Sequence, residues 1–146
     1  MGNSTLKAAI NLAVDAHNGQ YRKYSGDPYI VHPFRVMLAL AGESTEVRCA
    51  AVLHDVVEDT SVTLHGIRVQ FGEQIAQLVD AVSRRKDETY AEFIDRSIAA
   101  GPDAVKIKIA DIRDNMADGP EGHAGRKPGR YQKALAKLLE SQLVDA

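Results

Sequence analysis

Val52-Leu53-His54-Asp55-Val56-Val57-Glu58-Asp59-Thr60 is the stretch from which the rest of the chain can be read. Its pattern predicts a helix bearing an adjacent His-Asp pair and, one turn later, an adjacent Glu-Asp pair. At 3.6 residues per turn, His54 and Glu58 are i,i+4 neighbours, as are Asp55 and Asp59. The four ionisable side chains then project toward one region, while Leu53, Val56 and Val57 face the core. Crowded carboxylates repel, and a bound divalent cation supplies the missing positive charge. The alternative is a solvated acidic helix end, which is itself unfavourable because carboxylates at a helix C-terminus oppose the macrodipole.

Helical periods extend from that motif in both directions. Glu43-Ser44-Thr45-Glu46 caps the motif helix, and before it Phe34 to Ala41 reads as a short buried helix stopped at Gly42. Thr5 to His17 carries Leu6, Ile10, Ala13 and Val14 on one face, with Ser4 or Thr5 as N-cap and Gly19 as terminator. Between these two helices, Gly26 and Pro28 mark a loop, and Pro33 suits the first turn of the helix that follows. A residue before proline is pushed out of the α region, so His32 is expected in extended geometry, aimed in front of that helix start.

Downstream, Thr63 caps a segment with Leu64, Ile67 and Phe71 that ends at Gly72. Glu73 to Arg84 follows, then the charge run Arg84-Arg85-Lys86-Asp87-Glu88, read as a solvated turn. Tyr90 to Ala99 and Ala104 to Met116 are amphipathic helices, and Tyr131 to Val144 closes the chain with Leu135, Leu138, Leu139 and Leu143 inward. Asp118 to Arg130, with four glycines and two prolines, is the longest irregular connection and is read as functional or mobile. No strand-period run, internal repeat or boundary interrupts the pattern. The expectation is one all-α domain over residues 1–146, a compact bundle of about seven to eight helices.

Bulk properties exclude several roles. A net charge of −2 argues against a surface that coats nucleic acid, and no apolar stretch approaches membrane-spanning length. Cys49 is the single cysteine, so no internal disulfide is possible, and a buried thiol in a reducing cytoplasm is expected.

Candidate ligands come from three separate places: His32, the pair His54-Asp55, and Asp111. Two imidazoles and two carboxylates suit Mn, Fe, Zn or Co better than Ca, and leave positions open for water or substrate. A metal held in this way lowers the pKa of a water toward about 7. Glu58 and Asp59 are then placed to orient that water or take its proton. Arg22, Lys23 and Lys108 are candidates to hold phosphates, although Lys108 and Asp111 could equally be an exposed i,i+3 ion pair. This chemistry is metal-assisted phosphoester hydrolysis. His17 is expected to pack or cap near the first loop, with His65 and His123 exposed.

The order His … His-Asp … Asp resembles the signature of the HD superfamily of metal-dependent phosphohydrolases. Ala16-His17-Asn18-Gly19-Gln20-Tyr21-Arg22-Lys23 and Pro28-Tyr29-Ile30-Val31-His32-Pro33 look like the entry motif of the Rel/SpoT (p)ppGpp hydrolase domain. Leu53 to Thr60 is similar to that family's His-Asp-Val-x-Glu-Asp-Thr motif, and Lys108 to Met116 to its Lys-x-x-Asp-x-x-x-Asn-Met motif. The resemblance runs from about residue 8 to 116. It implies bundled helices around one metal, usually Mn²⁺, held by His32, His54, Asp55 and Asp111. It implies release of pyrophosphate from the ribose 3′ position of a guanine-nucleotide alarmone, giving GDP or GTP, and a part in the stringent response. Glu58 and Asp59 would activate water, Arg22 and Lys23 would contact the nucleotide, and Asn115 its sugar or phosphate. A chain of this length resembles the stand-alone small alarmone hydrolases, including the metazoan SpoT homologue.

The chain departs from that pattern at Ala117-Asp118, where Arg-Thr is frequent, and at Ser83-Arg84, where Thr-Lys is usual. The segment Arg22 to Pro28 is also one residue longer. Two other readings stand beside the alarmone hydrolase: an HD phosphohydrolase of another nucleotide (a nucleoside monophosphate, NADPH or a related alarmone), and a non-catalytic alarmone-binding module.

Overall fold

A computed structural model describes residues 2–119 and 129–144. The described residues are helical throughout apart from connections: α1 (Gly2–Ala16), α2 (Val31–Ala39), α3 (Thr45–Val52), α4 (Val56–Asp59), α5 (Leu64–Phe71), α6 (Glu73–Ala81), α7 (Tyr90–Ala99), α8 (Pro102–Asp118) and α9 (Arg130–Val144). With α4 a single turn of four residues, the arrangement is the expected compact all-α bundle. A lone antiparallel bridge joins Tyr21 and Pro28 in the loop before α2. Among the described residues, no helix is long and apolar enough to cross a membrane.

The centre of the bundle is α3. Ser44 caps it by accepting from the Val47 amide, and Cys49, Ala50 and Ala51 are small enough for neighbouring backbones to approach closely. Val47, Cys49, Ala50, Ala51 and Val52 are all buried, and α1, α2, α6 and α8 pack around them. A second apolar cluster lies between α7, α8 and α9, built on Ile94, Ile112, Tyr131 and Leu138. Ala104 and Ile107 of α8 belong to the first cluster, Val105 and Ile109 to the second. α8 is thus buried on most of its circumference, which makes any polar group on it unusual.

Several sequence expectations need correction. α1 begins at Gly2, so Ser4 and Thr5 lie inside it rather than capping it. A Cβ at Gly2 would fall 2.8 Å from Thr45 Oγ1, so the helix start sits directly against the start of α3. Leu38, Leu139 and Leu143 are exposed, because the helical rotation that buries Val36, Met37 and Leu138 turns them outward.

The motif stretch is not one helix. α3 stops at Val52, Leu53 to Asp55 form a turn, and α4 starts at Val56. Consecutive residues on a continuous helix point about 100° apart. The break lets His54 and Asp55 converge instead, while the Asp59 amide still bonds to the Asp55 carbonyl at 3.0 Å.

His32 is helical rather than extended, lying in the first turn of α2 behind a helical Ile30. Pro33 tolerates this because the first N–H groups of a helix have no intrahelical acceptor, so its missing donor is not needed. The His32 amide bonds to the Tyr29 carbonyl at 3.0 Å, fixing the ring at the helix entrance.

The charge run after α6 is a solvated turn at Arg84 to Asp87, as expected, but its last residue, Glu88, is framework. Arg96 of α7 donates to the Glu88 carboxylate at 2.7 and 2.9 Å, to the Asp80 carbonyl at 2.8 Å and to the Ser83 carbonyl at 2.7 Å. The Arg96 guanidinium holds the Glu88 carboxyl down to about 2. Replacing Arg96 with alanine strands these acceptors. Urea melts should show a loss of about 1–3 kcal/mol, and Arg96→Lys should restore little of it because the planar fork is lost.

Candidate metal centre

At the turn between α3 and α4, four side chains from three elements meet. His32 Nε2 is 3.1 Å from His54 Nε2 and 2.9 Å from Asp111 Oδ1. His54 Nε2 is 3.1 Å from Asp111 Oδ1 and 3.0 Å from Asp55 Oδ2. His32 Nε2 and Asp55 Oδ2 stand 3.5 Å apart. Ligands at right angles on a metal with bonds near 2.1 Å lie about 3 Å apart, so these spacings suit a common centre. Among the described residues this is the one cluster of its kind able to hold a metal ion, and both imidazoles are fully buried in it.

The donor set fits a divalent cation. His54 Nδ1 lies 2.7 Å from the Ala51 carbonyl, which can only accept, so the ring proton of neutral His54 sits on Nδ1 and Nε2 presents a lone pair. His32 Nδ1 faces Asp114 Oδ2 at 2.6 Å, and its Nε2 faces the same centre. Two imidazole lone pairs and two carboxylate oxygens then point at one another in a largely buried site, an arrangement that a bound divalent cation satisfies. In the protein alone, protons answer that field. Burial disfavours charge on His54, yet Asp55 and Asp111 hold it well above its ordinary pKa.

Neighbouring groups orient the carboxylates. Tyr29 Oη donates to Asp55 Oδ2 at 2.6 Å, and burial together with the Asp55 charge keeps the phenol protonated. Lys108 Nζ donates to Asp111 Oδ2 at 2.6 Å, and Asn115 Nδ2 to Asp111 Oδ1 at 3.2 Å. The Lys108–Asp111 pair is buried, so its reading as an exposed helix-surface pair does not hold.

The centre opens into a cleft of about 300 Å³ with Asp55 and Asp111 on its wall. Glu58 and Asp59 line it, as do Arg22, Lys23, Lys108 and Asn115. The structure therefore gathers every candidate residue named from the sequence, but not in equivalent states. Arg22 is buried and donates to Asn115 Oδ1 at 3.3 Å from both terminal nitrogens, with Asp118 3.5 Å from its Nε. Lys23 is exposed at the cleft. Glu58 accepts from the Arg84 amide. Although both acidic side chains are reached by solvent, the cleft walls strip water from the carboxyls. Burial, with help from the Asp55 charge, raises Glu58 to about 7 and Asp59 to about 6. Both can exchange a proton near neutral pH.

Sequence reasoning missed Tyr29 and Asp114. Asp114 follows Asp111 at i+3, but nothing in the spacing says that this face meets the α2 entrance. His17 is buried, with Nδ1 2.8 Å from Gln20 Oε1, and Gln20 Nε2 donates to the Asp59 carbonyl at 2.8 Å. His17 thus packs at the first loop as expected, and His65 is exposed. His123 and most of the Asp118 to Arg130 connection lie outside the described residues.

Residues 9–113 match the HD domain family, a span that contains all four candidate ligands. The chain belongs to that family. It is 41% identical over 123 residues to the bifunctional (p)ppGpp synthase/hydrolase SpoT of Escherichia coli. It is 36% identical over 121 residues to the guanosine-3′,5′-bis(diphosphate) 3′-pyrophosphohydrolase of Aquifex aeolicus. Each alignment takes in 76% of this chain but only 17% of the relative, so the HD chain spans about a sixth of these proteins. Among solved structures, it is similar to one described as a metazoan ortholog of SpoT that hydrolyzes ppGpp. That match has a TM-score of 0.76 at 26% identity and covers 94% of this chain and 85% of the other. The lmo0812 protein of Listeria monocytogenes matches at a TM-score of 0.67 and 29% identity, over 81% and 84% of the two chains.

Asp55→Ala removes one of the four candidate donor groups. Metal analysis after equilibrium dialysis should show loss of the bound ion, and the melting temperature should no longer rise on adding metal. Glu58 supports a separate test on metal-free protein. Its folded pKa of about 7 lies above the ordinary 4.5, so its contribution to stability is full below pH 4.5 and is lost as pH rises through 7. Glu58→Gln should therefore lose less melting temperature between pH 5 and pH 8 than the parent protein. Equal slopes would contradict the raised pKa.

Proposed function

We propose that this chain hydrolyses guanosine 3′,5′-bis(diphosphate) and its pentaphosphate analogue, releasing pyrophosphate from the ribose 3′ position. The observation that carries this reading is the buried His32-His54-Asp55-Asp111 centre opening beside Glu58 and Asp59, in a chain whose relatives bear that activity in their names. Manganese is the metal we favour, since two imidazoles and two carboxylates suit it and leave further positions open.

When bound, the cation supplies a Lewis acid that polarises a phosphoryl oxygen and makes water more acidic. The protein's own groups do the rest. Asp59, with its backbone carbonyl held by Gln20, takes the proton of the attacking water, and Glu58, held by the Arg84 amide, assists it or orients the water. Water adds across the bond between the 3′ oxygen and its diphosphate, and the 3′ oxygen leaves with a proton. Lys23, exposed at the cleft, attracts the phosphates. Arg22 and Asn115 contact the nucleotide from a pre-formed pair, and Lys108 acts mainly by neutralising Asp111. We read the chain as one domain, supported by α8 serving both apolar clusters. We read it as cytoplasmic, in keeping with a lone buried thiol, and as acting without a nucleic-acid or membrane partner, a reading supported by its net charge of −2.

The test is pyrophosphate release from ppGpp by chelator-stripped protein, with and without Mn²⁺. Metal-dependent release is the expected result, and Asp59→Ala should bind metal normally while kcat falls at least about 100-fold. Hydrolysis of a different nucleotide in a kcat/KM panel would keep the chemistry and replace the substrate. Tight ppGpp binding without turnover would make the chain a binding module.

A further inference from the structure

The two imidazoles of the metal centre are anchored differently. His54 Nδ1 faces a neutral backbone carbonyl at 2.7 Å, whereas His32 Nδ1 faces the Asp114 carboxylate at 2.6 Å. Asp114 sits one turn from Asp111 on α8, and its side chain is largely buried. Its other neighbours are cations at longer range: Arg22 Nη2 is 3.8 Å from Oδ2, and Arg35 Nη1 is 3.8 Å from Oδ1. The carboxylate is therefore not spent on a close Arg pair, and its one short bond goes to the ligand ring. Asp114 also lines a second groove on the far side of α8, so a residue outside the catalytic cleft reaches the ligand set.

A carboxylate behind a ligating imidazole fixes the tautomer, locks the ring plane and makes the opposite nitrogen a stronger donor. His54 cannot gain this from a carbonyl to the same degree, since the carbonyl carries no full charge. We propose that Asp114 is the positioning residue of the metal centre: it acts through His32 to set how tightly the cation is held. The proposal concerns the metal alone and stands or falls independently of which phosphoester is hydrolysed.

The experiment compares the full chain with Asp114→Asn and Asp114→Ala. Mn²⁺ affinity is measured by competition with a chelating indicator, alongside the melting temperature of each metal-free protein. Asn keeps an acceptor for the Nδ1 proton but removes the charge, so the proposal expects a loss of about 3–10-fold. Ala removes both and should lose about 10–100-fold. In Zn²⁺-loaded protein, the Nδ1 proton of His32 should give a slowly exchanging NMR signal that persists in Asp114→Asn and disappears in Asp114→Ala, while that of His54 is unchanged in both. A merely structural Asp114 would lower the metal-free melting temperature and leave Mn²⁺ affinity within twofold of the parent. That result, or persistence of the His32 signal in Asp114→Ala, overturns the proposal.

Discussion

Four lone pairs aimed at one buried point are the constraint on which this molecule turns. His32 Nε2 and His54 Nε2 lie 3.1 Å apart and each stands 2.9–3.5 Å from Asp55 Oδ2 and Asp111 Oδ1, with all four groups able to bring a ligand atom within 4.8 Å of the others. A protein interior tolerates such a cluster only when a cation or shared protons occupy it. Everything close by serves that requirement. Lys108 offsets one carboxylate, Tyr29 donates to the other, and the Ala51 carbonyl turns the His54 lone pair inward.

The helical framework is arranged to make the cluster possible. α8 brings Asp111 into the middle of the bundle because its other faces are apolar and packed on two sides. The break after Val52 swings His54 and Asp55 to the same place. Ser83 Oγ donates to the His54 carbonyl at 3.1 Å, so the turn held by Arg96 also supports the metal-bearing turn from behind. The same turn presents the Arg84 amide to Glu58. Stability and site thus share residues, and a change far from the metal, at Arg96, reaches a carboxylate of the cleft.

The acidic rim illustrates how burial assigns roles among identical groups. Asp55 is drawn low because His54, its partner, outweighs the cost of burial. Glu58 and Asp59 have no comparable cation beside them, so burial and the Asp55 charge push them up toward neutrality. Carboxylates a few residues apart are divided into one that stays ionised within the candidate metal centre and a pair able to exchange protons near neutral pH.

Helix periods, caps and the order His … His-Asp … Asp were enough to read the all-α bundle and to single out the four side chains that the structure gathers, because apolar spacing and donor chemistry are local properties of the chain. Ser44 and Thr63 cap where expected. Sequence also pointed to Glu58 and Asp59, though on the premise of an unbroken helix that the structure interrupts. Only the tertiary structure decided that His32 is helical, that Lys108–Asp111 is buried, that Glu88 is framework, and that Asp114 stands behind His32. Each of these depends on which surface a helix presents to a distant partner. α2 and α8 meet across 82 residues of sequence at His32 and Asp114. Helical periodicity says which residues share a face, but the packing of the whole core sets what that face meets.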